Sequence, residues 1–117
     1  MAKKIRVWDG TSWQQVGVSA ALPNAFNVTL AGNSAIEAGK RYFVDTTAAR
    51  TLTLPASASA GDEIVVFDAS GTSATYNITV ASNSNKINGV VQNLTIDANF
   101  AAVVLVYIGA TYGWRVN

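Results

Sequence analysis

Apolar and polar residues alternate with a period of two along most of this chain, the signature of strands with one face buried. Phe26, Val28 and Leu30 alternate with Asn27 and Thr29. The same pattern runs through Arg50-Thr51-Leu52-Thr53-Leu54, stopped by Pro55, and through Tyr76, Ile78 and Val80. Further strands are predicted over 41–45, 94–96 and 112–116. Two segments are apolar on both faces, 63–68 around Ile64-Val65-Val66-Phe67 and 101–108, which predicts strands covered on both sides.

Turn chemistry separates these runs. Asp9-Gly10 lies between Ile5-Arg6-Val7-Trp8 and Trp13-Gln14-Gln15-Val16, a strong short-range hairpin signal. Residues 19–27, around Pro23, predict a loop, and the polar stretch 82–89 predicts a turn closed by Asn88-Gly89. Only 33–39 suggests a helical turn, with Asn33 as cap and Gly39 as stop. About ten short strands at spacings of roughly 8–12 residues predict one all-β domain, a small antiparallel β-sandwich or barrel-like unit. An N-terminal hairpin and arm would occupy 1–30 and the sandwich 31–117.

Composition narrows the chemistry. The 117 residues include no histidine and no cysteine. Disulfides, thiol nucleophiles, imidazole bases and the usual zinc ligands are therefore excluded. The carboxylates are Asp9, Glu37, Asp45, Asp62, Glu63, Asp68 and Asp97. A glycosidase needs two of these facing each other about 5–10 Å apart, but each falls at a turn or strand end where aspartate commonly caps. No phosphate loop, nucleophile motif or EF-hand spacing occurs. The expectation is a non-enzymatic protein without metal or cofactor.

The net charge of +1 gives no footprint for nucleic acid, and no segment is long and apolar enough for a membrane helix. Lys3, Lys4 and Arg6 form either an arm touching an acidic partner or a solvated terminus. They lead into no apolar signal segment, so synthesis in the cytosol is expected. Asn-x-Thr triplets at Asn27, Asn77 and Asn93 follow from strand alternation and read as structural. Trp8, Trp13, Tyr112 and Trp114 offer either a stacking platform for sugars or internal packing across strands.

Charged residues make up 13% of the chain, against about 25% in ordinary domains. So neutral a surface suits a chain largely covered by partner subunits. The doubly apolar strand points the same way, and Val103, Leu105 and Tyr107 are the candidate interface of a homo-oligomer.

Several short pieces, in order, resemble a module of tailed-bacteriophage tail fibres and other virion surface proteins. They are Tyr42-Phe43-Val44-Asp45-Thr46, Thr53-Leu54-Pro55-Ala56 with Gly61-Asp62, Asn77-Ile78-Thr79-Val80, Lys86-Ile87-Asn88-Gly89, and Tyr107 with Tyr112-Gly113-Trp114-Arg115-Val116. The opening Val7-Trp8-Asp9-Gly10-Thr11-Ser12-Trp13 is similar to segments of phage structural proteins. The resemblance implies a β-rich, non-enzymatic trimer located in the virion. Tail fibres carry the module behind a long shaft and a tail-binding domain. A stand-alone copy suits a capsid decoration (cement) protein bound to the major capsid protein, with Lys3, Lys4, Arg6, Trp8 and Trp13 as candidate contacts. The alternative it implies is a short tail- or head-fibre protein binding host glycans through Tyr112 and Trp114.

Overall fold

A computed structural model describes residues 26–117 in full and the backbone of 6–8 and 13–15. Strands β1 (Arg6–Trp8) and β2 (Trp13–Gln15) form the expected hairpin, with Trp8 directly opposite Trp13. Among the described residues the remainder is built from eleven more strands and no α-helix. They are β3 (Asn27–Leu30), β4 (Ser34–Ala35), β5 (Lys40–Val44), β6 (Arg50–Thr53), β7 (Glu63–Asp68) and β8 (Ile78–Ala81). The chain continues through β9 (Lys86–Ile87), β10 (Val90–Val91), β11 (Leu94–Ile96), β12 (Ala102–Tyr107) and β13 (Trp114–Val116).

Two sheets result. One has the order β10-β9-β13-β12-β7-β5-β3, the other β11-β8-β6-β4. From β3 to β8 the chain steps to the opposite sheet at every strand. Each strand then pairs in parallel with the strand two before it: β3 with β5, β5 with β7, β4 with β6, β6 with β8. Parallel neighbours need a crossover, usually a helix. Here a strand of the other sheet serves as that crossover, so the chain winds as a coil of short turns. After β8 the direction reverses. Strand β11 pairs antiparallel with β8, and β12 antiparallel with both β7 and β13.

The all-β expectation therefore holds, with two packed sheets, but the sheets are mixed and not antiparallel throughout. The two-sheet body also begins at β3, ahead of the expected boundary at 31. Residues 33–39 form no helical turn. Ser34 and Ala35 pair with Leu52 and Thr53, the Ile36 N–H donates to the Thr53 carbonyl at 2.9 Å, and Asn33 Oδ1 accepts from the Thr51 N–H at 2.8 Å. Sheet pairing outcompeted a local helix with a single cap. The turn Asn88-Gly89 is as expected, both residues at positive φ (52° and 88°) between β9 and β10.

The core lies between the sheets. Tyr42, Val44, Ile64, Val66, Leu105 and Trp114 line it from the larger sheet, and Leu52, Ile78, Val80 and Ile96 from the smaller. Fully burying side chains of this size contributes about 1.5–3 kcal/mol each before the entropy of ordering is subtracted.

Candidate functional site

Acidic side chains are the first candidates for chemistry, and most are engaged in holding the backbone. Asp68 is the most constrained. It ends β7, is 5% exposed, and receives four hydrogen bonds. Thr46 Oγ1 (2.6 Å) and the Gly71 N–H (2.9 Å) donate to Oδ1, while the N–H groups of Ser73 and Phe100 (each 2.9 Å) donate to Oδ2. Burial pushes its carboxyl upward, but the donors from Thr46, Ser73 and Phe100 outweigh that and hold it well below the usual carboxylate range. A carboxylate saturated with donors cannot serve as a base. Its work is to tie three segments, 45–47, 69–73 and 98–101, to one point.

The others are similar. Asp45 Oδ1 accepts from the Thr47 N–H at 2.8 Å, and the hydrogen bonds from Thr47 lower its pKa. Asp62 Oδ2 accepts from the Ser59 N–H at 2.9 Å and closes the turn before β7. Glu37 pairs with Lys40 at 2.6 Å on the surface; the hydrogen bond from Lys40 lowers Glu37 and raises Lys40. Tyr42 is raised by burial, its hydroxyl accepting from the Glu37 N–H at 2.6 Å. Among the described residues no three acidic side chains gather into a metal-binding group.

Beside the Asp68 knot lies the most exposed of the large apolar side chains among the described residues, which the alternation gave no reason to single out. Phe100 is 75% exposed and sits at φ 58°, a left-handed conformation that bulky residues rarely adopt. Holding it there costs about 1–2 kcal/mol. The Asp68 carboxylate fixes its N–H, and its ring lies across Gly71, where an added Cβ would meet ring carbons at 2.1 and 2.2 Å. The flanking loops are joined by a hydrogen bond from Ser73 Oγ to the Ala98 carbonyl and one from the Ala74 N–H to Asn99 Oδ1. Tyr76, in the same loop region, is also exposed. A strained backbone that presents an aromatic ring to solvent suits a contact surface better than a packing role. Phe100→Asn keeps the N–H and suits positive φ, so thermal unfolding should stay within about 1 kcal/mol of the parent protein. A loss well above that would show that the ring packs structurally.

The aromatic residues near the other end divide. Tyr112 is exposed (57%) beside the turn that carries Gly89. Trp114 is 0% exposed: its strand is paired with β12 on one side and β9 on the other, and its ring meets Tyr107 edge-on at 5.4 Å. Trp114 is a core residue and no glycan contact. The interface candidates need the same correction. Leu105 is 0% exposed, and Val103 and Tyr107 pack against the core beside it. In β12 this set points between the sheets, so the outward set is Ala102, Val104 and Val106. Lys3 and Lys4 lie outside the described residues, as do the side chains of Arg6, Trp8 and Trp13. Two asparagines of the Asn-x-Thr triplets are engaged within the chain: Asn27 Oδ1 accepts from Arg41 Nε, and Asn93 Oδ1 from the Ser82 N–H.

No family model matches the chain, and a search of curated proteins finds no relative.

Proposed function

We propose that this protein is a non-enzymatic structural component of a tailed-bacteriophage virion that works as a homo-oligomer, a trimer, bound to the capsid as a decoration (cement) protein. The observation that carries the non-enzymatic part is the disposition of the acids. Asp45, Asp62, Asp68 and Glu37 are each engaged in a turn, a knot or a surface pair. The virion part is supported by the ordered resemblance of its short motifs to virion surface proteins.

The mechanism is mass action. A ligand that binds only the assembled lattice stabilises it by RT ln(1 + [L]/Kd), about 2.7 kcal/mol at one hundred times Kd. Quantitative mass spectrometry of purified particles of the encoding phage tests the reading. Hundreds of copies per particle are expected, together with earlier heat and osmotic rupture of particles lacking the protein. Absence from the particle overturns the virion assignment, and a few dozen copies or fewer moves the protein to the tail.

The exposed Tyr112 favours a second reading, a short fibre protein that binds host-surface glycans. Saturable binding on a glycan array, abolished by Tyr112→Ala with the fold intact, selects that reading over the first.

A further inference from the structure

The two sheets expose outer faces of opposite character. On the four-stranded sheet, register places Thr51, Thr79 and Thr95 in one row and Ala35, Thr53 and Ala81 in the next. That face carries small side chains, threonine and alanine. On the seven-stranded sheet the outward rows are Thr29–Phe43–Phe67–Ala102, then Asn27–Arg41–Val65–Val104, then Glu63–Val106–Arg115. The rings of Phe43 and Phe67 stack obliquely at 5.3 Å, and the valines are half-buried in the single chain. A strand that is apolar on both faces belongs to a sheet covered on both faces.

Arg41 donates to Asn27 Oδ1 within its own row, and the other charges of this face flank Val106. Glu63 and Arg115 share one row, one strand to either side of Val106. Two strand spacings put them roughly 9–10 Å apart, too far to pair with each other. Both are exposed, and among the described residues the ion pairs, Glu37–Lys40 and Asp45–Arg50, involve neither. Rotation about an axis parallel to β12 and facing Val106 preserves height along the strand. It brings the β7 side of one copy beside the β13 side of the next. Glu63 of each copy then meets Arg115 of its neighbour at the same level, for two-fold and three-fold axes alike.

We propose that copies of this chain assemble through the outer face of the seven-stranded sheet, centred on Val104 and Val106, in a cyclic arrangement keyed by Glu63 of one copy and Arg115 of the next. The proposal rests on the homo-oligomeric part of the reading above and is independent of its virion part. It places the contact on the strand face opposite to Val103, Leu105 and Tyr107.

Size-exclusion chromatography with light scattering on the full chain tests it, with circular dichroism as the check on folding. The parent protein should be a closed oligomer at micromolar concentration, and Val104→Glu a folded monomer. Thr79→Glu, on the other outer face, should assemble normally. Glu63→Arg and Arg115→Glu should each weaken assembly about threefold to tenfold by setting like charges together, and the double variant should restore it. Should Val104→Glu fail to fold, the charge exchange still decides the question. An oligomer indifferent to the charge variants and to Val104→Glu overturns the assigned face while leaving oligomerisation intact. A parent protein that stays monomeric overturns both.

Discussion

Asp68→Asn should destabilise this protein nearly as much as Asp68→Ala, although the amide matches the carboxylate in size and shape. All four partners of Asp68 are donors, three of them backbone N–H groups that cannot reverse. An asparagine supplies one acceptor oxygen and one NH2. The least costly orientation turns the NH2 toward Thr46, whose hydroxyl can rotate to accept. That orientation still sets the amide hydrogens against the Gly71 N–H. The opposite orientation sets them against both Ser73 and Phe100. Each buried donor left without an acceptor costs about 1–3 kcal/mol, more where a charge is lost. A loss of roughly 2–6 kcal/mol follows, a large share of the ~5–15 kcal/mol that holds a domain folded. Urea titration at neutral pH measures it. A midpoint within error of the parent would mean that the knot is not what holds these loops.

The same carboxylate sets an acid limit. Its folded pKa lies well below the unfolded value of about 3.9, so below that pH the unfolded chain binds the proton first. The stabilisation is complete above about pH 4 and is lost as pH falls through the folded pKa. The parent protein should therefore weaken as the pH falls below about 4. Asp68→Asn should show a flatter profile, its remaining slope coming from Asp45 and Glu37, which are lowered in the same sense.

Much of this fold could be read directly from alternation, and its failures share a physical origin. Strands β5, β6 and β11 fall where alternation and turn residues place them, and β7 and β12 where continuous apolar runs do. Their parallel pairing could not be read, because the side-chain period of a strand is the same whichever way its neighbour runs. The antiparallel expectation implies hairpins, whereas every connection from β3 to β8 leads to the other sheet. The parity of β12 was hidden for a related reason. Val103, Leu105 and Tyr107 are as apolar as Ala102, Val104 and Val106, and a one-residue slip exchanges the faces. Only the register, which sets Leu105 beside Ile64 and Tyr107 beside Trp114, shows which set faces inward. Phe100 was obscured by its own hydrophobicity. It reads as the start of the apolar run, yet its backbone makes the reversal before β12.

The second large effect concerns two glycines that look equivalent by distance alone. An added Cβ at Gly71 and one at Gly113 would each meet another atom at 2.1 Å, and both residues have positive φ, 80° and 74°. What they meet differs. At Gly71 the obstacle is the far end of the Phe100 side chain, which is largely in solvent and can swing away. Gly71→Ala should therefore cost about the left-handed penalty alone, ~1–2 kcal/mol. At Gly113 the obstacle is the carbonyl of Lys86, with the carbonyl carbon at 2.6 Å. That carbonyl belongs to β9, which is held on its far side by β10 and on its near side by the pairing of Ile87 with Trp114. The hydrogen bonds from the Asn88 N–H to the Trp114 carbonyl (2.8 Å) and from the Gly89 N–H to the Tyr112 carbonyl (2.9 Å) leave the backbone little room to retreat. Overpacking adds about 1–3 kcal/mol to the conformational penalty, so Gly113→Ala should lose roughly 2–5 kcal/mol. The strain would fall on the strand that buries Trp114, so its fluorescence and the near-ultraviolet dichroism should change together with the unfolding midpoint. Equal losses at the two glycines would mean that conformation alone, and not the fixed backbone of β9, decides what these positions accept.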